Sequence, residues 1–72
     1  MNILLVDNEK AVRETLAKMV HNWSNDVHQV EEATGVKDGI EKITQFRPDI
    51  VLLDVEMDDG TGFDLLQQIP QP

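Results

Sequence analysis

Two rhythms of apolar and polar positions alternate along this chain. The opening segment "NILLV" (Asn2 to Val6) is apolar without a polar face, has strand length and stops at Asp7, as expected for a strand covered on both faces. From Glu9 the spacing changes to steps of three and four. Val12, Leu16, Met19, Val20 and Trp23 fall on one stripe of a helix about four turns long. Trp23 extends the stripe, which predicts packing rather than recognition. "NWSND" (Asn22 to Asp26) breaks the helix, and "HQVEEA" (His28 to Ala33) predicts a strand, more from its position than its composition, ahead of a turn at Gly35. Val36, Ile40, Ile43 and Phe46 form a second helical stripe that Pro48 limits. Another apolar run, "DIVLLD" (Asp49 to Asp54), again closes on aspartate. The loop "VEMDDGTG" follows, and Phe63 to Ile69 makes about two turns of a third helix before "PQP". Strand, helix, strand, helix, strand, helix is the order that right-handed crossovers build onto a parallel sheet.

Composition narrows what such a sheet can serve. At 72 residues the chain is one domain or part of one, with a modest core. It has no cysteine, which excludes disulfides and thiolate metal sites and suits a reducing cytoplasm. "ILLV" and "IVLL" are far too short to cross a bilayer and nothing reads as a signal peptide, so a soluble chain is expected. Fourteen acidic against six basic residues leave a formal charge of −8, which disfavours nucleic acid and anionic lipid as ligands. Cations, or a basic patch on a partner protein, suit it better.

The aspartates that close the apolar runs then take on meaning. Open parallel sheets bind ligands beyond the carboxyl ends of their strands, where the strand order reverses. Asp7 and Asp54 both stand at that edge, and with the third strand beside the first their carboxylates would share one pocket. Close carboxylates repel unless one is protonated or a cation lies between them. A hard ion with oxygen ligands, Mg²⁺ above all, fits the composition. Such an ion also neutralises phosphoryl oxygens, and an aspartate carboxylate is a competent nucleophile toward phosphorus.

"ILLVDNE", followed some forty residues later by "DIVLLDVEM" and "GFDLL", resembles the receiver domain of bacterial two-component response regulators over the whole chain. The resemblance implies a flavodoxin-like (CheY-like) α/β fold: a parallel sheet with flanking helices, here truncated to about βαβαβα. Residues 1–72 would then be a partial receiver, its first three β/α units. By the same resemblance Asp54 is the phosphoacceptor for a sensor histidine kinase. Mg²⁺ is held by Asp7, Asn8, Asp54 and the backbone carbonyl of Glu56, with Glu9 a further candidate. The module is a cytoplasmic switch in a phosphorelay more than an enzyme. The wording "DGTGFDLL" looks most like receivers joined to LytTR-type DNA-binding domains.

Three departures from the family pattern carry expectations of their own. Asn8 stands where a second acid is usual, and Asp58 stands where proline is usual; each should weaken ion or phosphoryl binding, with Glu9 as an offset to the first. The family pattern continues for two more strands and helices, bearing a Ser/Thr and a Lys that contact the phosphoryl group. Without them the third strand becomes an exposed edge, so the isolated chain is expected to fold poorly or to self-associate. The alternative function is therefore a truncated or degenerate receiver acting only as an interaction or dimerisation module.

Plainer roles compete for the same residues. Asp7 could cap the helix that follows it, and Asp54 could be a strand-ending turn residue. Asp54, Glu56 and Asp58 match the first, third and fifth positions of a calcium-binding EF-hand loop, but Asp59 and Leu65 occupy the positions that need glycine and glutamate. His21 and His28 are expected on the surface, Glu31 and Glu32 on a solvated face, and Gly60 and Gly62 in a positive-φ or flexible loop.

Overall fold

A computed structural model of the chain describes residues 1–70. Its elements in order are β1 (Asn2–Val6), α1 (Lys10–Trp23), β2 (Gln29–Ala33), α2 (Val36–Phe46), β3 (Ile50–Leu53), β4 (Glu56–Met57), β5 (Gly60–Thr61) and α3 (Gly62–Gln68). β1 pairs in parallel with both neighbours, giving the order β2-β1-β3. This is a doubly wound α/β arrangement, consistent with the CheY-like fold expected of it.

The unbroken apolar character of β1 has the expected cause. Ile3, Leu4, Leu5 and Val6 are each at most 1% exposed, and they divide between two cores. Leu4 and Val6 join Ala33, Val36 and Leu65 beneath α2 and α3, whereas Ile3 and Leu5 meet Val20 of α1. α2 ends where Arg47 enters the left-handed region at φ 51° and donates its N–H to the Ile43 carbonyl. Pro48 then prevents continuation.

The first helix begins near Glu9 as expected, with Glu9 as the N-cap of α1. Three other expectations need correction. Trp23 is 63% exposed and Met19 61%, so the upper part of the α1 stripe does not pack. Instead it borders an apolar cleft with Ile3, Leu16, Val20, Ile50 and Leu52. Second, the segment read as a loop after Asp54 contains the antiparallel pair β4-β5, with Glu56 opposite Thr61 and Met57 opposite Gly60. Finally, Gly60 has the positive φ expected of it, 146°, but Gly62 does not. It opens α3, where Thr61 and Asp64 form a reciprocal capping box; its glycine is required for a close approach described below. "PQP" follows α3 in part: Pro70 lies beyond the helix, and Gln71 and Pro72 fall outside the described residues.

Candidate functional site

Register alone places the two key aspartates. Val6 is the partner of Leu53 across the β1-β3 ladder, so the next residues, Asp7 and Asp54, leave the sheet side by side. Neighbouring strands lie about 4.8 Å apart, which sets the scale of their separation. Both strand ends are held one residue beyond the ladder. The Asp7 N–H donates to the Ala33 carbonyl at 3.0 Å, and the Asp54 N–H donates to the Val6 carbonyl at 2.9 Å. The two aspartates line one cleft with Val6, Leu16, Leu52 and Leu53.

Asp7 is the one charged side chain among the buried described residues, at 9% exposure. Its Oδ1 accepts the Glu9 N–H at 2.8 Å, a turn ahead of the helix rather than a cap, since the N-cap of α1 is Glu9. The Asp7 carbonyl accepts from Arg13 Nη1 at 2.7 Å, and Arg13 Nε also meets Glu32 Oε1 at 3.0 Å. α1 is thereby pinned to the end of β1 without placing the guanidinium on the Asp7 carboxylate.

The loop after Asp54 is built around glycine. The Gly62 N–H donates to the Val55 carbonyl at 2.9 Å, and a Cβ at position 62 would lie 2.6 Å from the carbonyl oxygen of Asp54. This turn returns the chain beneath Asp54 and leaves Glu56 at the start of the hairpin. The hairpin tip is secured at two points. Asp58 Oδ1 accepts from Asn8 Nδ2 at 3.2 Å. Asp59 accepts the Val36 and Lys37 N–H groups at 2.8 and 3.1 Å, capping α2 from another part of the chain. Those backbone hydrogen bonds, Val36 first, hold the Asp59 carboxyl below its ordinary value. Gly35 makes the approach possible, since a Cβ there would stand 2.6 Å from Asp59 Oδ1.

The structure therefore brings Asp7 and Asp54 together in one cleft, which Asn8, Glu9 and Glu56 do not line. Asn8 faces Asp58 and, with Thr34, Asp38 and Asp59, lines an adjoining acidic cleft. Glu56 and Glu9 are exposed. Among the described residues no three His, Asp or Glu side chains gather closely enough to hold a metal. The donors in the cleft are the two carboxylates of Asp7 and Asp54, hard oxygens of the kind and number that Mg²⁺ takes while keeping several waters. His21 and His28 are exposed and distant in sequence from the cleft, as expected. Asp59 escaped sequence reasoning as an anchor, because its two partners lie 22 and 23 residues away.

Comparison with known proteins gives this geometry a family. The response regulator receiver domain family matches residues 3–72. An uncharacterized response regulatory protein of Vibrio cholerae is 33% identical over 69 residues, 96% of this chain and 29% of that protein. The sensory transduction protein LytT of Bacillus cereus is 35% identical over 65 residues, 90% of this chain and 26% of the relative. LytT of Enterococcus faecalis is 35% identical over 69 residues, covering 96% and 28%. The LytT matches agree with the LytTR-type wording of "DGTGFDLL". The chain spans between a quarter and a third of the length of these relatives.

Proposed function

Because this chain belongs to the response regulator receiver domain family, we propose that it accepts a phosphoryl group on Asp54 from a sensor histidine kinase, with Mg²⁺ beside Asp7. The observation that carries this reading is the side-by-side exit of Asp7 and Asp54 from adjacent, in-register strands. Asp54 would attack the phosphorus of a phosphohistidine in line. A new O–P bond forms on its carboxylate as the N–P bond breaks, and the imidazole departs with the electron pair and takes up a proton from water. Asp7, Asp54, the Asn8 amide and the Glu56 carbonyl are the groups that would hold the ion, with Glu9 within the same loop. The ion would neutralise charge on the phosphoryl oxygens during transfer. Half-buried Asp54 is accessible to a donor, while the buried Asp7 supplies fixed negative charge for the cation.

In this reading the chain is a cytoplasmic switch rather than an enzyme with its own turnover, and its charge of −8 keeps it off nucleic acid and anionic membrane. Among the described residues no helix is long and apolar enough to cross a membrane. The competing reading is assembly without phosphorylation. One experiment separates the two. The protein is incubated with acetyl phosphate and Mg²⁺, its intact mass measured, and its solution mass followed by light scattering. A gain of one phosphoryl group that is lost in Asp54→Ala and without Mg²⁺ is expected. Absence of that gain in a folded, self-associated protein would reject the acceptor role and leave the assembly module.

A further inference from the structure

The hairpin that follows Asp54 cannot hold itself. β4 and β5 have two residues each and pair only as Glu56 with Thr61 and Met57 with Gly60, and even a longer isolated hairpin is marginally stable in water. Its order must come from what it is fastened to. At the base, next to Asp54, the Gly62 N–H donates to the Val55 carbonyl at 2.9 Å. Beneath, Met57 packs against the core that contains Val36. At the tip, Asp58 accepts a single 3.2 Å bond from Asn8, whereas the Asp59 carboxylate takes two N–H groups at the start of α2, Val36 at 2.8 Å and Lys37 at 3.1 Å. Bonds to a carboxylate are of the stronger, charge-assisted class, and a helix N-terminus favours negative charge.

We propose that Asp59 is a positioning residue for phosphoryl transfer: seated on α2, it keeps the hairpin ordered and thereby fixes the backbone that carries Asp54. This inference rests on the acceptor role proposed above for Asp54. The seat is shaped for a carboxylate from outside the helix. The N-cap of α2 is Gly35, which has no side chain to cap its own helix, and a Cβ there would stand 2.6 Å from Asp59 Oδ1 and 3.1 Å from Asp59 Cγ. A serine, threonine, aspartate or asparagine, the usual N-cap residues, would cap α2 locally and expel Asp59. On the other side of the contact Gly60, at φ 146°, adopts a conformation that residues with a Cβ avoid and turns the chain back into β5. Held at base and tip, the loop has little slack. Released at the tip, it frays toward Asp54, whose attacking oxygen must be held in line with the leaving group.

The test is the rate of phosphorylation of the full chain by acetyl phosphate and Mg²⁺, followed by intact mass well below the melting transition of every variant. Asp59→Ala removes the carboxylate. Gly35→Ala displaces it but leaves it in the chain, because Gly35 has extended backbone at φ −180° and the obstructed atoms are the end of a side chain. Asp38→Ala is the control: its carboxylate accepts the Thr34 N–H at 2.9 Å, so its loss loosens the same end of α2 without touching the hairpin. A misplacement of about 1 Å can cost about 100-fold, and a loop that still samples the right geometry loses less, so Asp59→Ala and Gly35→Ala should each slow transfer about tenfold and Asp38→Ala less than about twofold. The double variant of Gly35 and Asp59 should be no slower than Asp59→Ala alone, since both changes break one contact. The Asp54 amide resonance should move in both single variants and stay in place in Asp38→Ala, a response that loss of a helix cap alone would not produce. An unchanged rate in Asp59→Ala, losses that multiply in the double variant, or an equal loss in Asp38→Ala would overturn the proposal. Absence of any mass gain in the wild-type protein would instead remove the acceptor role on which the inference rests.

Discussion

Replacing Gly62 by alanine tests whether the turn under Asp54 is as tight as its geometry requires. The added Cβ would meet the Asp54 carbonyl oxygen at 2.6 Å, Leu53 Cγ at 3.0 Å and Leu53 Cδ2 at 3.2 Å. Carbon–oxygen contacts are comfortable from about 3.3 Å, so one backbone segment must retreat by about 0.7 Å. The obstructing atom is backbone at the end of β3, where the Asp54 N–H is already bonded to Val6, and it cannot turn aside as a side chain can. Overpacking of this kind costs about 1–3 kcal/mol. Alanine's better helix propensity returns at most about 1 kcal/mol, and less at the first helical position. A net loss of about 1–2 kcal/mol is a large share of the roughly 4–11 kcal/mol available to a chain of this size. With a urea dependence near 1 kcal/mol per molar for a small domain, the unfolding midpoint by far-ultraviolet circular dichroism should fall by about 1–2 M. Gly39→Ala is the comparison. Its new Cβ meets Leu65 Cδ1 at 2.7 Å and Val6 Cγ1 at 3.2 Å, side-chain tips that can shift, in the middle of α2 where alanine is favoured, so the loss should be smaller. A Gly62→Ala protein with a midpoint at or above wild type would refute the steric argument.

Two further outcomes follow from the core and the hairpin. Leu65 is fully buried against Leu4, Val6, Ala33 and Val36, so Leu65→Ala should cost about 2–5 kcal/mol, and a urea midpoint within experimental error of wild type would disprove its central place. Asp59 has its carboxyl lowered from 3.8 by the Val36 and Lys37 N–H groups. A depressed folded-state value stabilises the fold above 3.8 and loses that contribution as pH falls through the lower folded-state value. Asp59→Asn should therefore flatten the acid limb of the stability profile between 3.8 and that lower folded-state value, and an unchanged acid limb would show the cap to be energetically silent.

What was legible in the sequence follows burial closely. β1 reads cleanly because both of its faces are covered, and α2 because Ile40, Ile43 and Phe46 all pack on one core. β2 is an edge strand whose Gln29 and Glu32 are exposed, so its composition is mixed and its position had to carry the expectation. The stripe on α1 is genuine, but periodicity reports that residues share a face, not that the face is covered; Met19 and Trp23 show the difference. The hairpin after Asp54 has strands of two residues each, too short for any alternation to register. Its signal was the turn chemistry of Asp58, Asp59 and Gly60 between Met57 and Thr61, two acidic residues followed by a glycine with positive φ. The Asn8–Asp58 and Asp59–Val36 bonds had no sequence signal, since each depends on loops brought together only by the sheet.

The aspartate at the end of "DIVLLD" owes its chemistry to counting as much as to type. Ile3 to Val6 and Ile50 to Leu53 are paired one to one, so the carboxylates that follow emerge at one level of the sheet. A slip of one residue in β3 would turn each of its side chains to the opposite face. It would exchange Val51 and Leu53, which pack on the core with Leu4 and Val6, for Ile50 and the exposed Leu52, and it would separate Asp54 from Asp7. The hydrophobic burial that fixes the register is therefore the same interaction that assembles the acidic pair. The carboxylate that ends the apolar run stands one position past Leu53, where β3 leaves the ladder and Asp7 is its neighbour on β1.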